Sequence, residues 1–298
     1  MRDLVGEPAD VVAKERSRVA TEGWGARLLA LQDADGQWDG GTYIPSWAME
    51  SEEFIPAWTS TTYTLMLLRE LGLDPASEQA RRAIALVRDN SKWEQGGQDY
   101  FSGEVEPCIN GMAVALGSYF GEDVQGIVDK LLGGQLSDGG WNCWAEYGAT
   151  VSSFHSTLTV LEGLLAHERG TGGSAEATAA RLRGQEYLLE RRLLRRLSTG
   201  EVIDPNWTLF SYPTRWHYDV LRALDYFRSV GDAPDDRVAE AIDVVVQRRG
   251  DDGRWRLQNT YPGAVHFDME EGDGNPSRWN TLRAMRVLDW YEDGARTT

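Results

Sequence analysis

The sequence predicts a single all-α domain built from repeated helical hairpins, and three observations predict it. One turn phrase recurs three times: Gln32-Asp-Ala-Asp-Gly-Gln-Trp38, Gln135-Leu-Ser-Asp-Gly-Gly-Trp141 and Gln247-Arg-Arg-Gly-Asp-Asp-Gly-Arg-Trp255. An apolar helical phrase, opened by small or polar residues, recurs five times, beginning near residues 58, 108, 154, 216 and 279. The period-two alternation that marks strands is scarce. The helix openings step by roughly 50 to 60 residues, the spacing of stacked helix pairs in which each unit buries its apolar face against its neighbours.

Each element follows from its own residues. The more charged, amphipathic stretches at about 11–32, 76–90, 122–135, 176–197 and 235–248 read as outer helices, with apolar positions at helical spacing beside a charged face. Asp-Gly pairs supply the turns that follow them. Gln at the end of an outer helix offers an amide to the terminal backbone groups, and the Trp covers the turn. The inner helices are Trp58-Thr-Ser-Thr-Thr-Tyr, Cys108-Ile-Asn-Gly-Met-Ala, Phe154-His-Ser-Thr-Leu-Thr, Trp216-His-Tyr-Asp-Val-Leu and Trp279-Asn-Thr-Leu-Arg-Ala, each with its apolar continuation. A blurred copy of the turn lies at Trp93-Glu-Gln-Gly-Gly. The whole chain, 1–298, reads as one domain, with the repeats covering about 20–292.

Composition narrows the function. The chain has 30 Lys and Arg against 47 Asp and Glu, a net charge of −17. That balance disfavours nucleic acid and anionic membrane surfaces, both of which need clustered cations. No run approaches the ~18 apolar residues of a membrane span. The first residues lack the apolar core of a signal peptide, so a cytoplasmic location with reduced thiols is expected. Cys108 and Cys143 are the two cysteines.

The turn phrases at 32–38, 135–141 and 247–255 resemble the glutamine–tryptophan repeat of the triterpene cyclases. The whole pattern resembles the α/α toroid superfamily of terpene cyclases and protein prenyltransferase β-subunits. The resemblance implies a ring of about five or six helical hairpins whose inner helices line a central apolar cavity. The Asp-x-Asp-Asp acid of class II terpene cyclases is absent, as are the Asp-Asp-x-x-Asp magnesium motif and a Walker A loop. Proton-initiated cyclisation by the usual acid is therefore disfavoured.

Glu106-Pro-Cys108 and the His155 stretch resemble the zinc site of the prenyltransferase β-subunits, with Glu106 where the family has Asp. The resemblance implies Glu106, Cys108 and His155 as zinc ligands. Independently, zinc prefers thiolate and imidazole, and a Cys in the first turn of a helix meets the positive end of its dipole. If all inner helices start at one rim, Cys108, His155 and His217 converge there, with Cys143 as a possible fourth ligand. His217 and Asp219 form a candidate proton-transfer pair, and Glu106 is a third candidate acid. Trp58, Phe154, Trp216 and Trp279 are expected to line the mouth for an apolar substrate, since aromatic faces hold apolar chains and cations. Arg191, Arg192, Arg195 and Arg196 read as outer-helix ion pairs, and no diphosphate-binding cluster is legible. The acidic loop of Asp268, Glu270, Glu271 and Asp273 reads as solvated.

These residues predict a zinc-dependent enzyme acting on an apolar, isoprenoid-like small molecule, by alkyl transfer or by a cyclisation or lyase step. Two alternatives stand beside it: a non-catalytic toroid carrying an apolar ligand and a structural zinc, and a cyclase using a different acid. No partner subunit is deducible.

Overall fold

A computed structural model describes residues 2–49, 51 and 56–297. Thirteen α-helices follow in chain order. They are α1 (Arg2–Val5), α2 (Ala9–Ser17), α3 (Gly23–Ala30), α4 (Ser46–Met49), α5 (Thr61–Glu70), α6 (Glu78–Asn90) and α7 (Pro107–Phe120). Then come α8 (Gln125–Gly133), α9 (Phe154–Thr171), α10 (Ala175–Glu190), α11 (Val220–Val230), α12 (Ala239–Gln247) and α13 (Arg278–Thr297). Among the described residues there is no strand, only isolated bridges.

Five hairpins, α3/α5, α6/α7, α8/α9, α10/α11 and α12/α13, form the toroid. The inner helices α5, α7, α9, α11 and α13 pack each on the next in order. Loops close the ring. Trp24 of α3 packs at a tilt against Trp279 of α13, with ring centroids 6.2 Å apart, Ala57 pairs with Ala264, and the Trp58 indole N–H donates to the Pro262 carbonyl at 3.0 Å.

The repeated turn is one hydrogen-bonded device used three times. The indole N–H of Trp38, Trp141 and Trp255 donates to the carbonyl ten residues earlier, at Leu28, Leu131 and Val245, each at 2.7 Å. The backbone N–H of the same tryptophan donates to a threonine on the following inner helix: Thr61, Thr157 and Thr281. Gln32 and Gln135 reach the next outer helix, at the Ala83 and Ala180 carbonyls. Gln247 makes no such bond among the described residues. Trp93 departs from the device and donates instead to Tyr100, seven residues ahead.

Caps set where the helices begin. Ser77, Ser153, Ser174 and Asp219 each accept a first-turn N–H. Because Asp219 is the cap, Trp216 and His217 lie in the loop before α11 rather than on it, and Trp58 likewise precedes α5. The first outer stretch is broken into α2 and α3 by a short 3-10 turn at Arg18–Ala20.

Helices α7 and α9 touch through glycine. A Cβ on Gly163 would lie 2.5 Å from the Gly111 carbonyl oxygen, and one on Gly111 would lie 2.6 Å from that of Thr159. Backbone meets backbone there, so no rotamer change relieves the clash. Gly163→Ala should therefore cost on the order of 1–3 kcal/mol, read as a lower urea midpoint at unchanged m-value; an unchanged midpoint would rule out this close approach.

Candidate metal centre and central cavity

Three loops meet at the rim where the inner helices begin. Glu106 immediately precedes α7, Pro107 occupies its first position, and Cys108 follows in the first turn. Cys143 sits in the turn after Trp141, held by its backbone N–H to Ser156 Oγ at 3.3 Å. The ligand atoms of Glu106, Cys108 and Cys143 all lie within 4.8 Å of one another. The Cys108 thiol is 3.6 Å from Glu106 Oε2, and the two sulfurs are 2.7 Å apart with both thiols free.

Its hydrogen bond with Cys143, then burial and the Glu106 carboxylate, pushes the Cys108 thiol well up. Cys143 is pulled down by its bonds from Cys108 and Ser156. Of the two thiols, Cys143 is therefore the one favoured to ionise. The helix start alone favours Cys108, but its hydrogen bond with Cys143, burial and the neighbouring carboxylate outweigh the dipole.

The donor set fits zinc. Sulfur at about 2.3 Å and oxygen at about 2.1 Å from a tetrahedral ion lie about 3.6 Å apart, the separation between Cys108 and Glu106. Two sulfurs on one ion lie about 3.8 Å apart by the same geometry, so ion entry requires Cys108 and Cys143 to part by about 1 Å.

His155 and His217 do not join this group, which corrects the expectation that they converge on the cysteines. His155 Nδ1 accepts the Tyr218 backbone N–H at 2.9 Å. The neutral ring then carries its proton on Nε2, leaving no free lone pair for a metal. His217 is stacked between Trp216 at 3.8 Å and Tyr261 at 3.4 Å, and meets Trp58 edge-on. The two imidazoles meet edge-on, with ring centroids 6.2 Å apart. Burial, then Arg222, lowers the His155 pKa to about 4. Burial, then His155 and Arg222, lowers that of His217 to about 3. Both are neutral at pH 7.

Asp219 is not paired with His217. Its carboxylate caps α11 through the Arg222 N–H at 2.7 Å and accepts from Ser211 at 3.1 Å, fully buried. Phe154 is equally buried, wedged among Tyr187, Trp207 and Tyr218, and packs the ring rather than lining its mouth. Trp58 and Trp216 stand by His217, and a small cavity of about 120 Å³ lies beside Trp58 and Tyr261. Trp279 stacks on Tyr212 at 4.8 Å and lines a different, larger space.

That space is a central cavity of about 750 Å³. It lies at the carboxyl-terminal ends of α5 and α7, and runs along α9, α11 and the first turns of α13. About 16 Å of helix separates Cys108 from Tyr119 on its wall, at 1.5 Å per residue. The resemblance implies an apolar cavity; this one carries six arginines. Sequence reading missed them, although arginine inside otherwise apolar inner phrases, as at Arg69, Arg222 and Arg283, was the available signal. Arg191 and Arg195 form the expected ion pairs, with Glu190 and Glu240, and Arg191 also lies over the Tyr187 ring.

No protein-family model and no curated protein matches the chain. Among solved structures, the chain is similar to a variant of the type II terpene cyclase MstE from Scytonema in complex with geranylgeranyl dihydroxybenzoate. That similarity is at 18% identity and a TM-score of 0.43, covering 97% of this chain and 87% of that one.

Proposed function

We propose that the chain is a zinc-dependent enzyme that transfers an apolar alkyl group to the thiol of a second reactant at its rim, with Glu106, Cys108 and Cys143 as the zinc ligands. The new C–S bond forms as the alkyl carbon's C–O bond breaks, the oxygen-bearing leaving group departs as an anion, and the thiol proton goes to solvent. The observation that carries this reading is the donor set itself: one carboxylate and two sulfurs within 4.8 Å. Three protein ligands leave a fourth position for a reactant, whereas four would close a structural site. When bound there, zinc under one carboxylate and two thiolates carries a net charge of about −1, which favours activating a thiol nucleophile over polarising an electrophile.

The chain's own residues supply the rest. Ser156 holds Cys143 in place through backbone and side chain. The segments leading into the inner helices α5, α7 and α9 expose apolar side chains, among them Trp47, Met49, Val105, Trp144, Tyr147 and Val151. Exposed apolar side chains of this kind suit an apolar reactant. Trp58, Trp216 and Tyr261 form an aromatic wall with His217. A pKa near 3 makes His217 a weak base and no acid at neutral pH, so we assign it to the wall. Asp219 is assigned to capping α11.

Protein purified reduced and without a metal-affinity tag should carry one zinc per chain by elemental analysis. Cys143→Ser should drop that at least tenfold and abolish alkyl transfer, with the thermal midpoint of the metal-free forms matched. Zinc near zero in the unsubstituted chain, or undiminished in Cys143→Ser, would refute the reading.

A further inference from the structure

The central cavity departs from what its ring predicts, in an acidic protein. Its wall carries Arg16, Arg69, Arg169, Arg222, Arg283 and Arg286 against Glu70, Glu162 and Asp225. Two of the three carboxylates are already answered. Glu162 takes a two-pronged pair from Arg222, at 2.9 and 2.6 Å. Asp225 pairs at 2.8 Å with Arg228, which stands outside the wall.

Several of the remaining guanidiniums are spent on neutral oxygens. Arg16 donates to the Gly72 carbonyl and the Tyr119 hydroxyl, at 3.0 and 2.7 Å. Arg283 donates to the Ser211 carbonyl at 3.3 Å, with Asp219 at 4.0 Å. Arg69 has no hydrogen bond or ion pair from its side chain among the described residues.

Capping helix carboxyl ends explains Arg16. It leaves Arg69 and two buried donors without a purpose. The Tyr212 hydroxyl and the Trp279 indole N–H both belong to the cavity wall, and neither has a hydrogen-bond partner among the described residues. Tyr212 is 7% exposed, and its hydroxyl approaches Glu70 without reaching bonding geometry. Glu70 is enclosed by the ring yet open to the cavity, and that enclosure pushes its pKa up despite Arg283 and Arg69.

We propose that this cavity binds a phosphoryl-bearing small molecule, its phosphoryl oxygens held by Arg69, Arg16 and Arg283 and its less polar part lying on Trp279 and Leu165. Guanidinium matches phosphoryl oxygen in both charge and two-pronged geometry. A volume of about 750 Å³ is that of a small-molecule pocket rather than of a single inorganic ion. Surplus arginine also sets this space apart from carbocation chemistry, whose intermediates it would repel. The site stands apart from the cysteine rim, and its existence does not depend on zinc there.

Titration calorimetry of the full chain, without divalent metal and at constant ionic strength, tests this with inorganic pyrophosphate and, in parallel, citrate. Expected are one pyrophosphate site per chain, at least tenfold weaker citrate binding, and loss of about tenfold or more in pyrophosphate affinity in Arg69→Gln. Arg81→Gln removes the same charge from an exposed outer-helix site and should leave binding unchanged. Arg16→Gln gives a second reading if Arg69→Gln does not fold to the same thermal midpoint. No saturable binding, equal citrate binding, or losses no larger in the cavity variants than in Arg81→Gln would each overturn the proposal.

Discussion

Trp141→Ala should lower the unfolding free energy by about 3–5 kcal/mol, the range for deleting a buried tryptophan. Trp141 is fully buried. Its indole N–H closes the end of α8 at Leu131, and its backbone N–H ties the turn to α9 through Thr157. The ring also touches α10, since a Cβ on Gly184 would come within 2.9 Å of it. Truncation thus opens a cavity where two hairpins meet and leaves the Leu131 carbonyl without its partner. Trp144, three residues on and 68% exposed, is the control: alanine there should shift stability by no more than about 0.5 kcal/mol. Chemical denaturation of both variants reads the contrast, and equal losses would show that the turn tryptophans are not structural pins.

The second large effect is acid destabilisation from the two desolvated imidazoles. His155 and His217 titrate near 6.5 in an unfolded chain but near 4 and 3 in the fold. Above pH 6.5 both are neutral in either state and contribute no pH dependence. As pH falls below 6.5 the unfolded chain takes up protons that the fold refuses, so stability drops until the folded values are reached. At 1.36 kcal/mol per unit, discounted for partial exposure, each contributes on the order of 1–3 kcal/mol of loss by pH 4. Carboxylates elsewhere add their own acid loss, so the informative quantity is a difference. His217→Phe keeps a ring between Trp216 and Tyr261 but cannot titrate. Its stability profile should be flatter than that of the unsubstituted chain between pH 6.5 and 4. Parallel profiles would mean that His217 is not held neutral by its surroundings.

The hairpin ring was legible because it is written in periodic chemistry. A tryptophan bonded ten residues back and a threonine bonded forward recur at three of the five hairpin turns, and three copies of one phrase announce them. Helix starts were less legible. Asp219 looks like a partner of His217 in sequence, yet as an acidic residue ahead of an apolar run it is the cap, and it moves Trp216 and His217 off the helix. The cysteine pairing was half visible: Cys143 was a candidate, but nothing local tells that the turn after Trp141 carries it onto Cys108 while the Tyr218 backbone takes His155. The arginine cavity was hidden for another reason. Its residues come from α2, α5, α9, α11 and α13, scattered from Arg16 to Arg286, and only ring closure gathers them. The visible basic run at 191–196 drew attention because it is contiguous, whereas the arginines that face a common space are not.

In the proposed centre, one carboxylate and two sulfurs from two segments, the start of α7 and the turn after Trp141, hold a single ion. Zinc K-edge absorption spectroscopy on the reduced, zinc-loaded chain measures this directly. The account predicts a first shell of two sulfurs near 2.3 Å with oxygen near 2.0–2.2 Å, reduced to one sulfur in Cys108→Ser. A shell of nitrogen and oxygen alone, or one unchanged by that substitution, would contradict it.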